Sequence, residues 1–276
     1  MSELFVRTLE DYAVGVVPWF VFGALAAYLV ERRFSSRRVS ALLGTLSPRR
    51  VFGALALGMV SPLSIMSQLP VSGSLTRLGA NPALLLAFLA AERSYDFQSF
   101  PIIAGFFGMR FAALNAAAVF LSLLAATLFV AKMPVAFKAS GDGRETGNGF
   151  WIRQGKLFAV VIVGVVIASV VRSVMPEDLF RAAAQSDLGG LATGTAAGLA
   201  LYFGTILGNY PVAKAFADLG MSPTGVFAFL TVSPLFNAVV LTMFASAAHW
   251  RHVARFFAAY AVSALAMSAI IGVWLL

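Results

Sequence analysis

The chain has 276 residues, of which 60% are apolar and 12% charged, with a net charge of +8. A soluble domain carries about 25% charged residues, so a chain with half that fraction and a mean hydropathy of +0.87 cannot cover a soluble surface. Disorder fails for the opposite reason, an excess of apolar residues, which leaves an all-α polytopic integral membrane protein.

The start, Met1 to Tyr12, sets Glu3, Glu10 and Asp11 against one arginine. That is not the basic start of a secretory signal, and no cleavage is expected. Eight apolar segments follow, at 13–30, 51–69, 83–109 with a polar interruption, 111–131, 157–175, 188–208, 223–248 and 253–276. A span needs about 20 residues, so eight spans fit with short connections. The link 31–50 holds six arginines. The longest link, 132–156, carries Gly141, Gly143, Gly147 and Gly149 and divides the chain. Residues 1–131 form a first transmembrane repeat, 132–156 a cytoplasmic linker and 157–276 a second repeat.

The two parts match at an offset of 141. Pro70-Val71 falls on Pro211-Val212, Leu78-Gly79 on Leu219-Gly220, Pro82 on Pro223, and Ala87-Phe88-Leu89 on Ala228-Phe229-Leu230. Proline and glycine recurring at one offset point to internal duplication, as in many transporters.

Cations are retained on the cytoplasmic side. With all eight segments crossing, the repeats are parallel and the cations outside the segments, all but Arg93, divide eleven to eight. With 83–109 and 223–248 dipping in and returning, they divide fourteen to five. The second arrangement obeys the rule. It gives each half three crossings and one re-entrant hairpin, and it inverts the halves relative to each other.

Charge inside apolar segments marks the candidate site, because each buried charge costs about 2.5–3.5 kcal/mol on insertion scales. Glu92, Arg93 and Asp96 lie in the interruption of 83–109. They read either as a polar centre that binds an ion, proton or polar solute, or as the turn of a hairpin. Their offset partners are Ser233, Pro234 and Asn237. Before each hairpin, small polar residues run into a proline that stops the helix. Ser64, Ser67 and Gln68 precede Pro70, and Asn209 and Tyr210 precede Pro211. These side chains can line a pocket, with Pro70, Pro211 and Pro234 as the breaks. Lys214 and Asp218 read as a surface pair. The run Gly/Ala-rich at 188–200 reads as close helix packing. With no Cys and two His, neither a disulfide, a thiol nucleophile nor a metal centre is expected. The glycine-rich link has no phosphate-loop lysine, so no cofactor is expected.

The frame P-V, L-G-x-x-P, A-F-L, S-P-L-x-N at Pro211–Asn237, with its echo at Pro70–Leu89, resembles a bacterial permease family whose best-known branch exports trivalent organoarsenicals. The resemblance spans both repeats. It implies a multi-pass protein of the bacterial cytoplasmic (inner) membrane that moves a small solute and is not an enzyme. Family members often carry cysteine before the first-half proline. This chain has Ser64-Ile65-Met66-Ser67 there, so the arsenical is not carried over. The expected partners are the lipid bilayer and a small solute, with no nucleic acid, and a homo-oligomer is left open.

Two other functions stand beside a permease. Leu69-Pro70-Val71-Ser72 is superficially similar to the motif of undecaprenyl-diphosphate phosphatases, but Gln68 stands where those enzymes have Glu, and Val212-Ala213-Lys214 replaces their phosphate loop. A non-catalytic membrane subunit, assembled through an intramembrane salt bridge, is the third.

Overall fold

Helix starts are written in cap residues. Ser47, Asn81 and Ser222 each precede a proline, and each side chain accepts a backbone N–H from the turn it opens. Proline at the first helical position loses a bond that would be unmade anyway. The computed structural model describes residues 2–31, 42–61, 72–73, 75–77, 79–133, 135–138, 149–201 and 205–275. Its helices are α1 (Ser2–Glu31), α2 (Pro48–Met59), α3 (Pro82–Ser94), α4 (Ser99–Phe107), α5 (Met109–Val130), α6 (Phe150–Val174), α7 (Glu177–Ala184), α8 (Asp187–Ala200), α9 (Asn209–Asp218), α10 (Pro223–Val232), α11 (Ala238–Ala247) and α12 (Trp250–Leu275). A 3₁₀ turn at Ile206–Gly208 leads into α9.

Among the described residues, α1, α5, α6 and α12 are long and apolar enough to cross a bilayer. The chain is an all-α, multi-pass membrane protein. The outward faces of these helices carry exposed Val14, Phe22, Leu128, Val163, Val262 and Trp274, which lipid covers. The centre holds α3 and α10, buried along almost their whole length.

Contacts fix the directions. The end at which α1 begins is called upper. Phe20 packs on Phe158 at 5.3 Å and Tyr28 on Phe150 at 5.3 Å, so α1 and α6 are antiparallel. Arg110 reaches the Leu275 carbonyl at 2.6 Å, and Arg255 lies against Met133 at the other end, so α5 and α12 are antiparallel too. α10 starts at the upper end, where Thr224 bonds Asp187 at 2.6 Å and packs on Gly272. It descends to Thr231, whose carbonyl accepts from Tyr260 at 2.5 Å. α11 continues down, with Phe244 against Phe257 at 5.2 Å, and Lys138 N bonds Ala247 O at 2.8 Å at the bottom.

Two sequence expectations are corrected here. Residues 223–248 do not return to the end they leave. They run from the upper end toward the lower as two helices, α10 then α11, with the break at 233–237. Residues 83–109 do the same from below. α4 rises along α1, from Gln98 beside Gly23 to Phe106 beside Tyr12 and Gly15. Two ten-residue helices at 1.5 Å per residue give about 30 Å, the thickness of a hydrocarbon core.

Of the segments read at 51–69 and 188–208, residues 62–69 and 202–204 lie outside the described residues, and the described helices there are short. α8 has 14 residues and α2 has 12, too few for a span. α8 descends beside α10 from Gly190 against Gly225 to Gly198 against Ser233. α9 then climbs back, from Asn209 at the level of Ser233 to Asp218 beside Tyr12. The pair α8–α9 folds back to the end it left. α6 begins at Phe150, seven residues before the apolar segment read at 157.

Several backbone bonds recur at the offset of 141. Gly79 N and Ala80 N bond Thr76 O and Leu75 O, each at 3.0 Å, and Gly220 N and Met221 N bond Ala217 O and Phe216 O, each at 3.0 Å. Gly79 and Gly220 take φ of 96° and 91°, where a side chain is strained and glycine is not. Asn81 N bonds Leu43 O at 2.6 Å, and Ser222 N bonds Ala184 O at 2.9 Å.

Candidate functional site

Both broken helices are interrupted deep in the protein, and a break in lipid must satisfy its own backbone. At the first, Tyr95 is extended and ends α3. Asp96 Oδ1 then accepts from Gln98 N at 3.0 Å, Ser99 N at 2.9 Å and Ser99 Oγ at 2.9 Å. Asp96 N donates back to Ser99 Oγ at 3.1 Å. These reciprocal bonds close the turn that leads into α4, much as a capping box does.

At the second break Asn237 plays the same part. Its Oδ1 accepts from Val239 N at 2.9 Å and starts α11. Its Nδ2 donates to Leu201 O at 2.9 Å and Leu199 O at 3.1 Å, taking carbonyls that the end of α8 leaves open. The expected pair Asp96 and Asn237 thus shares one role, at matched positions.

Side chains from other helices bind the breaks together. Tyr210 donates to Ser99 Oγ at 2.5 Å, which joins α9 to the Asp96 box. Asn209 Nδ2 donates to Ser233 Oγ at 2.9 Å. Asn115 of α5 donates to Thr231 Oγ1 at 3.0 Å. Gln98 donates to Gln154 Oε1 of α6 at 2.9 Å. Glu92 and Arg93 are buried in the last turn of α3. The Tyr95 hydroxyl is buried with no hydrogen-bond partner among the described residues.

The structure therefore brings Glu92, Arg93, Asp96, Asn209, Tyr210, Ser233 and Asn237 to one buried polar belt. Ser64, Ser67, Gln68 and Pro70 lie outside the described residues. Pro234 sits in the second break, as expected. Pro211 does not break a helix. It lies in the first turn of α9, where its missing N–H leaves no bond unmade. Sequence reasoning missed Ser99, Tyr95, Asn115 and Thr231. The D-x-x-S spacing announced Ser99, and Asn115 is a lone amide in an apolar span. Nothing announced Tyr95 or Thr231.

Among the described residues no group of three His, Asp or Glu side chains can hold a metal. The belt offers hydroxyls, amides, carboxylates and one guanidinium. Comparison of the chain with models of known families, with curated proteins and with solved structures finds no significant match.

Proposed function

We propose that the chain is a permease, a secondary transporter of a small polar or ionic solute across a bacterial cytoplasmic membrane. The observation that carries this reading is the pair of broken crossing helices with buried polar residues at matched breaks. Transporters of this architecture bind their cargo at such breaks. The solute sits between the two halves, near Glu92, Arg93, Tyr95 and Asn237, and the halves rock about it. Asp96 and Asn237 hold the breaks open. The frame at Pro211–Asn237 that resembles the permease family supports the same reading.

The halves are inverted repeats in this proposal. Helices related by the offset run in opposite directions, α1 against α6 and α5 against α12. Each half has three crossings, one of them broken, and one fold-back pair. With the lower end in the cytoplasm, fourteen cations lie below and five above. The absence of Cys makes a direct test available. Met109 and Trp250 are 141 positions apart and both exposed. Met109→Cys and Trp250→Cys will label from opposite faces of the membrane with an impermeant thiol reagent. Labelling from one common face would establish parallel repeats instead.

Solute binding is tested by thermal unfolding of the detergent-solubilised protein. The panel holds oxyanions, amino acids, arsenicals, sulfur compounds and an isoprenoid diphosphate. A ligand at a hundred times its dissociation constant stabilises the fold by about 2.7 kcal/mol. One solute will raise the melting temperature by several degrees, and Glu92→Gln with Arg93→Gln will abolish the rise. A response to the diphosphate alone would turn the reading toward a lipid-phosphate enzyme. Silence throughout would favour an assembly subunit.

A further inference from the structure

At the upper end a cavity of about 310 Å³ opens among α1, α6 and α9, lined by Leu4, Thr8, Asp11, Tyr12, Arg172 and Asp218. Below it lies α9, whose far end carries Asn209 and Tyr210. From Asp218 to Tyr210 is eight residues, about 12 Å of helix. The cavity therefore stands one short helix above the polar belt.

One carboxylate governs the contact between them. Asp218 Oδ2 accepts from the Tyr12 hydroxyl at 2.7 Å, and its Oδ1 accepts from Lys214 Nζ at 2.5 Å. Lys214 lies one turn back on the same helix and aims Asp218 at Tyr12. The bond joins a crossing helix of the first half to the return arm of the second half's fold-back pair. The Lys214 and Asp218 side chains are each 31% exposed, so water reaches the carboxylate side of the contact, while Tyr12 is buried. The matched positions at the lower end hold Arg153 for Tyr12 and Arg77 for Asp218. Two guanidinium groups have donors only and cannot reproduce the hydroxyl–carboxylate bond with each other, so the bond between Tyr12 and Asp218 has no copy at the matched pair.

We propose that the Tyr12–Asp218 bond is the upper gate of the solute path, with the cavity as its mouth and Lys214 as the residue that positions it. The proposal rests on the permease reading.

The test uses Ser233→Cys as a single buried thiol in the cysteine-free chain, reconstituted in vesicles. A membrane-impermeant methanethiosulfonate is applied from either face. Tyr12→Phe will raise the labelling rate from the upper face at least tenfold and leave the lower-face rate within twofold. Asp218→Ala will do the same. Asp218→Asn keeps an acceptor for the Tyr12 hydroxyl and will stay within threefold of the parent. A lower-face rate with no upper-face gain in Tyr12→Phe and Asp218→Ala overturns the gate and leaves the path standing. Equal gains from both faces overturn it as well, since a loosened fold would produce them. A thiol that no variant exposes to either face overturns the gate and the midplane path together.

Discussion

Replacing Gly194 with alanine will unfold or strongly destabilise the protein, while the same change at Gly53 will not. The two glycines are 141 residues apart, yet their surroundings differ. A Cβ at Gly194 would run into the Gly225 carbonyl oxygen and lie 3.0 Å from its carbon and 3.3 Å from Phe229 N. All are backbone atoms, so no rotamer change relieves them. Gly190, Gly194 and Gly198 form a small-residue stripe that lets α8 approach α10 closely. Overpacking costs about 1–3 kcal/mol and occasionally more, and a backbone clash belongs at the upper limit. A Cβ at Gly53 meets nothing within 4 Å. Alanine there gains up to about 1 kcal/mol of helix propensity. Thermal unfolding in detergent compares the two variants, and equal shifts would show that α8 and α10 are not in close contact.

Asn237→Ala will cost about 2–4 kcal/mol, from a lost cap and from carbonyls left open. Asn237→Asp will cost more, although it is nearly isosteric. Aspartate keeps the cap to Val239 N but cannot donate to Leu199 O and Leu201 O. It would set a carboxylate against two carbonyl oxygens in a medium where charge is expensive. The order wild type, Ala, Asp in melting temperature is the readout. An Asp variant more stable than Ala would mean that the cap alone matters.

The break residues were legible in the sequence, and the path of the chain through them was not. Glu92, Asp96, Ser233 and Asn237 stand out as polar residues in apolar runs. Whether a helix continues or turns back after such a break depends on a few dihedral angles around Tyr95 and Ser233, which hydropathy does not encode. Charge counting could not help. Folding back at 83–109 puts Arg77 above and Lys214 below. Exchanging Arg77 and Lys214 between the two ends leaves the division at fourteen to five. Proline was read too uniformly. Pro211 opens a helix whereas Pro234 separates two, and the difference lies in the partners of the preceding turn. Gly79 and Gly220 stood out only as matched positions of the duplicated frame, and their positive φ shows why the Leu-Gly-x-x-Pro setting recurs: it joins a helix end to a capped helix start.

The dependence of α11 on α8 has a consequence for how the protein is made. Each of α8, α10 and α11 is too short to hold itself across a bilayer, and the cap that starts α11 leans on carbonyls at the end of α8, 36 and 38 residues upstream. During synthesis α8 and α9 leave the ribosome first and have no place in the lipid until residues 223–248 follow. The fold-back pair must wait at the membrane surface or inside the insertion machinery, shielded from hydrolysis and mispairing, and it commits to the bilayer only together with the broken helix it serves. The insertion of α8 and α9 is thus a late event, and a chain truncated at residue 222 would stay anchored by α1, α5 and α6 with α8 lacking the partner its glycine stripe packs on.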